Sequence, residues 1–112
     1  MKKYLVLYMA PLASFDKVLQ GAPEEMQKGM ASWNAWMGKH KDVLVDMGAP
    51  LGKAKKVTAS GASDFRNTIG GYGIVKAASL ADAAKLFGKD HPHFELQDGW
   101  IEIIEFVDMP GM

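Results

Sequence analysis

Tyr4 to Met9 is an unbroken apolar run of aromatic and branched residues, too short to make a helix of its own and patterned for a strand buried on both faces. It predicts a strand at the centre of a sheet. Pro11 ends that strand, and Ala10 to Pro23 has no clear period, which reads as a loop with about one turn of helix. Pro23, Glu24 and Glu25 then place a preset φ angle and two carboxylates where a helix N-terminus favours them. Met26, Met30, Trp33, Met37, His40 and Leu44 recur at spacings of four and three, so a long helix should turn this stripe to a core. Gly48 and Pro50 mark its stop, with Val43 to Met47 a segment that can switch to extended backbone. Lys56 to Ser60 alternates and reads as a modest edge-like strand, Gly61 to Asn67 as a polar turn, and Tyr72 to Ala77 as a better strand. Gly70, Gly71 and Gly73 leave room there for a bulge or a close backbone neighbour. Ser79 with Asp82 three residues on opens a second helix whose inner stripe is Leu80, Ala83, Ala84 and Phe87, capped by Gly88. A short connection over Asp90 to Gln97 and a final strand over Trp100 to Val107 complete the chain.

The order β, α, β, β, α, β in one domain over residues 1–112 is the split βαβ arrangement, an α+β, ferredoxin-like fold with an antiparallel sheet. Two helices cover one face of such a sheet. Yet Tyr4, Val6 and Tyr8 lie on one side of the first strand and Leu5, Leu7 and Met9 on the other, and the last strand sets Trp100, Ile104 and Phe106 against Ile101 and Ile103. With both faces apolar, the uncovered one is expected to be buried against a second copy, making a homodimer.

Composition narrows the function. Thirteen basic and thirteen acidic residues cancel to zero net charge, which argues against a nucleic-acid partner beyond a local patch of Lys39, Lys41, Lys53, Lys55 and Lys56. The absence of cysteine removes thiol nucleophiles, Cys-ligated metals and disulfides, and is compatible with a reducing compartment. Lys2 and Lys3 ahead of the apolar Tyr4 to Ala13 imitate a signal peptide, but Tyr4, Tyr8 and Pro11 interrupt it and no small-x-small cleavage site follows. No apolar run approaches the roughly twenty residues of a membrane helix, so the expectation is a cytoplasmic protein without a membrane partner.

Several segments, taken in order, resemble the YCII-related family. They are Met1 to Ala10 followed by a long helix, Gly48-Ala49-Pro50-Leu51, Gly70-Gly71-Tyr72 running into a strand, and Ser79-Leu80-Ala81-Asp82-Ala83-Ala84. His91-Pro92-His93, Trp100-Ile101-Glu102-Ile103 and Met109-Pro110 continue the series, so the resemblance spans nearly the whole chain. It implies a dimeric α+β barrel of the ferredoxin-like type. Relatives with an Asp-Gly-Pro-Phe signature carry it just before the Gly-Gly-Tyr strand, where this chain has the degraded Asp64-Phe65-Arg66-Asn67-Thr68. Most of the family lacks an assigned reaction; some members are proposed to hold a His and Asp dyad with the histidine on the first helix, and others are joined to transcription-factor partners. Glu24 to Asn34 contains no histidine here, so that dyad does not carry over directly.

Candidate chemistry gathers at the histidines. His91 and His93, two apart on an extended segment, would project to one side, with Glu95 or Asp98 in reach for acid-base work. A bare His-x-His lacks a distant third ligand, so no metal set and no cofactor is assigned; the plainer reading is a loop whose histidines bond neighbouring carbonyls. His40 on the helical stripe reads first as a core or rim residue, and second as a base oriented by Asp46. Trp33, Trp36, Met37, Tyr72 and Trp100 are candidates to line a small-molecule pocket, against ordinary core packing. Gly48 to Lys53 fails as a phosphate loop because it has the wrong glycine spacing and Ala54 in place of Ser or Thr, and Gly70-Gly71-Tyr72-Gly73 opens a strand instead of a helix. No serine lies in a G-x-S-x-G elbow. Two functions survive: a dimeric small-molecule-binding module, and a cofactor-free isomerase, lyase or hydrolase using His91, His93, His40 and Asp46.

Overall fold

The computed structural model describes residues 1–110; Gly111 and Met112, the end of the expected domain, lie outside the described residues. Strands β1 (Lys2–Met9), β2 (Leu44–Pro50), β5 (Ile69–Ala77) and β6 (Trp100–Glu105) form one antiparallel sheet in the order β2-β5-β1-β6. A hairpin of β3 (Ala54–Thr58) and β4 (Gly61–Phe65) stands apart as a second, two-stranded sheet. Helices α1 (Leu12–Leu19) and α2 (Pro23–Lys39) join β1 to β2, and α3 (Leu80–Lys85) with a 3-10 turn over Pro92–Glu95 joins β5 to β6. The protein is thus α+β with an antiparallel sheet, compatible with the ferredoxin-like expectation once the β3–β4 hairpin is set aside. One extent of only 19 Å fits a single sheet with a single helix layer.

The apolar run of β1 is central, as its pattern predicts. Tyr4, Val6 and Tyr8 are buried with Val75, Ala77 and Ala83, and Trp33, Leu44, Leu86, Phe87, Ile101 and Ile103 pack around them. The register decides which residues share that face: Val6 pairs with Ile103 and Gly73, and Tyr8 with Ile101 and Gly71. Leu5 and Leu7, one residue out of phase, stand with Ile74, Tyr72 and Ile104 on the opposite face and are half-buried.

The structure corrects several expectations. The segment read as a loop holds the eight-residue α1, in which Leu12, Phe15 and Val18 recur at helical spacing and tertiary contacts add to that local signal. The Ser14 hydroxyl donates to the Gln97 carbonyl at 2.6 Å, Lys17 reaches the Gln97 side chain at 2.8 Å, and Arg66 pairs with Asp16 at 2.8 Å. Gly70 admits the Phe15 ring, since a Cβ there would sit 2.4 Å from it. Helix α2 stops at Lys39, and Leu44 belongs to β2, where it pairs with Val75. Met26 and Met30, expected inward, are 50% and 66% exposed, and the inward contacts fall to Trp33 and Trp36. The expected polar turn over Gly61 to Asn67 is largely β4, brought back by a two-residue link after Thr58. In α3, Ser79 caps the Asp82 amide at 3.1 Å as the sequence implies, but Leu80 and Ala84 are exposed and the helix ends at Lys85 with Leu86, not Gly88, as its C-cap. The last strand ends at Glu105, short of Val107. Gly48 is required as glycine: its φ is +71°, and a Cβ would lie 1.6 Å from the Tyr72 carbonyl oxygen. It kinks β2 where the register against β5 slips.

Candidate functional site

The covered face carries a continuous aromatic assembly. Tyr8 meets the edge of Trp33 at 4.8 Å and stacks on His91 at 5.6 Å. Trp36 lies between His40 at 4.4 Å and Phe87 at 5.2 Å, nearly parallel to both, and meets His91 at 4.5 Å. The helical spacing of Trp33, Trp36 and His40 brings α2 into this assembly, while the turn after α3 delivers His91. A hollow of about 410 Å³ opens beside it, lined by Trp36, Lys39 and His40 from α2 and by Asp90, His91 and Glu95 from the turn.

His91-Pro92-His93 is a 3-10 turn instead of the expected extended segment, and its two imidazoles reach different ends. Both are buried, at 3% and 4% exposure. His91 caps the turn: its Nδ1 accepts from the His93 backbone N–H at 3.0 Å. An N–H can only donate, so the proton of the neutral His91 ring is on Nε2. That Nε2 is buried and has no partner, alone in this respect among the described side chains. Burial first, then repulsion from His93 and His40, pushes the His91 pKa down from 6.5 to about 4, so the ring is neutral at pH 7. His93 instead bonds the Met9 carbonyl at 2.7 Å; burial lowers its pKa, and backbone bonds to Met9 and Trp100 oppose the shift. It ties the turn to β1. Burial alone raises the Tyr8 phenol well above its ordinary range, so it stays protonated.

His40 ends α2, with Nδ1 2.9 Å from the Trp36 carbonyl. A carbonyl only accepts, so Nδ1 is the donor and the neutral ring offers a lone pair at Nε2. The expected pairing of His40 with Asp46 is not made. The Asp46 carboxylate accepts from the Gly48 amide at 2.7 Å, in the β2 kink, and Asp46 is not in the hollow's lining. Met37 lines a separate hollow of about 380 Å³ with Asn34, Lys41, Leu44 and Met47. Tyr72 and Trp100 lie on the open face, where Trp100 Nε1 donates to Glu102 at 2.8 Å. Of the residues singled out in the sequence, the structure therefore brings together His40, His91, Trp33 and Trp36, with His93 behind them. Sequence reading missed Tyr8 and Phe87 as the rest of the aromatic wall, and Lys39 and Asp90 at the rim; the place of Tyr8 on the same side of β1 as Tyr4 and Val6 was the available signal for it.

Among the described residues, no group of three or more His, Asp or Glu is placed to hold a metal ion, and no helix is long and apolar enough to cross a membrane. No protein-family model matches the chain, and no curated protein matches it at a significant level.

Proposed function

We propose that this chain is a YCII-related domain that works in the cytoplasm as a homodimer and binds a small molecule in the hollow beside Trp36. The mixed aromatic and charged lining of that hollow, Trp36 and His40 with Lys39, Asp90 and Glu95, carries this reading. The ligand class is thus a small, partly apolar molecule with a carbonyl or carboxylate oxygen. Aromatic walls and one cation, Lys39, suit such a molecule, whereas Asp90 and Glu95 disfavour a more highly charged anion.

The open sheet face supports the dimer. Leu5, Leu7, Tyr72, Ile74 and Ile104 share it with no helix above, and Trp100 and Ile104 are 37% and 41% exposed. The order of sequence segments and the sheet order support the family.

The binding test compares phenylacetate with phenethylamine, which share a ring and differ in offering an acceptor or a donor. Saturable binding of phenylacetate, with a shift of the Trp36 indole signal in NMR and weaker binding in Lys39→Glu, is the expected result. Equal binding of both, or of neither, overturns the reading. Sedimentation velocity tests the dimer: a wild-type monomer at micromolar concentration removes it.

A further inference from the structure

We propose that the open sheet face takes a second copy in one orientation, with strand directions reversed, so that Lys3 of each copy lies against Glu102 of the other. This rests on the reading that the face pairs with a second copy, and goes beyond it by assigning the arrangement and the charged pair that selects it.

The register divides the face into three rows that run across the strands. Lys3 and Lys76 stand directly opposite one another at one end. Leu5, Ile74 and Ile104 form the middle row, and Leu7, Tyr72 and Glu102 the row at the other end. Residues opposite one another in a sheet share a face, so these rows lie on the side away from Tyr4, Val6 and Tyr8. The face is therefore apolar in the middle, cationic at one end and acidic at the other. Two lysines directly opposite each other repel, and among the described residues neither is in an ion pair. Glu102 accepts from the Trp100 indole at 2.8 Å and has no cationic partner among those residues either. Asp46, beside Ile74 at the edge of the sheet, is taken by the Gly48 amide. The unbalanced charges of the face are Lys3, Lys76 and Glu102.

A second copy covers such a face about a two-fold axis lying between the two sheets. An axis along the strands would set the two lysine ends over one another. An axis across the strands, above the Leu5 row, reverses the strands and sets each lysine end over the Glu102 row of the other copy. The middle rows then meet their own counterparts, which keeps the apolar centre together. Packed sheets stand about 10 Å apart, a gap that a lysine from one side and a glutamate from the other close between them. Lys3 is near the end of β1 and Glu102 is on the edge strand β6, so the pair sits at the rim, where charge selects orientation while the apolar centre supplies adhesion. Lys76 comes above the row of Tyr72, an aromatic neighbour that suits a cation.

The test measures the dimer dissociation constant of the full chain by sedimentation velocity at low salt. Glu102→Lys and Lys3→Glu should each weaken the dimer at least about tenfold, because the two-fold axis repeats every substitution at two contacts, and about 0.5 M NaCl should shrink that penalty. The chain carrying both substitutions should return to near the wild-type value. Within one chain Lys3 and Glu102 are four residues apart along the sheet, about 14 Å, so this recovery reports a contact between copies. Glu102→Gln keeps an acceptor for the Trp100 indole and should give a smaller loss in the same direction; it takes the place of Glu102→Lys if that chain does not fold, and no loss in it counts against the pair. A dimer indifferent to either charge reversal, or a double variant no tighter than the single ones, overturns this arrangement and leaves the dimer standing. A wild-type monomer overturns both.

Discussion

On β1, Tyr4, Val6 and Tyr8 are buried to 3%, 0% and 8% exposure, while Leu5 and Leu7, one residue out of phase on the same strand, remain half-buried. The covered face has α2 and α3 above it and gathers Trp33, Trp36, Phe87 and His91 into one packed assembly. The open face has side chains of the same apolar kind and no layer to receive them. Hydrophobic residues on a strand therefore specify that a face seeks burial, and only the placement of the other elements decides which face obtains it. The β3–β4 hairpin is the further extreme: of its strand residues only Ala54 is half-buried and the rest are exposed, and its Lys55–Asp64 ion pair lies in solvent.

The largest effect that sharpens this comparison is truncation of one aromatic on each face. Tyr8→Ala removes a side chain touching Trp33, Phe87, His91 and His93 and is expected to cost about 4 kcal/mol in urea unfolding. Tyr72→Ala on the open face should cost the folded monomer much less and instead weaken self-association. Equal losses of monomer stability would break the distinction between the faces.

Next in size is a pH effect confined to the covered face. With His91 lowered from 6.5 to about 4, the ring is neutral in the folded chain at pH 7 and mostly neutral in the unfolded one. As the pH falls below 6.5 the unfolded chain takes up the proton first, so stability is lost between pH 6.5 and about 4 and the loss then levels off. The total from His91 is about 3 kcal/mol, and His93, shifted the same way, adds to the slope. Between pH 7, 5.5 and 4.5 the wild-type urea midpoint should fall relative to that of His91→Phe; parallel curves would show that the ring is not buried.

Smaller effects separate local devices from solvated ones. Ser79→Ala deletes the cap on the Asp82 amide and should lower stability by about 1 kcal/mol, seen as a reduced Tm. Lys55→Ala in the hairpin breaks an exposed pair and should change stability by less than about half a kcal/mol. A larger loss there would show that the hairpin is packed against something, most simply a second copy.

Legibility in the sequence followed the length scale of the cause. The central strand, the Pro23 helix start, the Ser79 cap and the Gly-rich opening of β5 depend on neighbours in the chain, and each was readable from a few residues. Helix α1 was overlooked although Leu12, Phe15 and Val18 recur at helical spacing; what the sequence could not show is that Ser14 and Lys17 find Gln97 about eighty positions away. The end of α2 was misplaced because Leu44 satisfies the helical stripe as well as it satisfies pairing with Val75, and only the pairing is realised. Of the site, His40, His91, Trp33 and Trp36 were picked out as residue types, but their meeting was not, and Asp46 was assigned to a partner it does not have.

By itself, the sequence determined the elements whose cause is local: an α+β order, a strand apolar on both sides, one capped helix, and three histidines with no cysteine to accompany them. The tertiary structure decided which face of the sheet is covered, where α1 and α2 end, and which tautomer each histidine holds. Those outcomes depend on backbone donors and carbonyls such as the His93 amide, Trp36 and Met9, whose positions are set by the packing of the whole fold and leave no mark in the residue pattern.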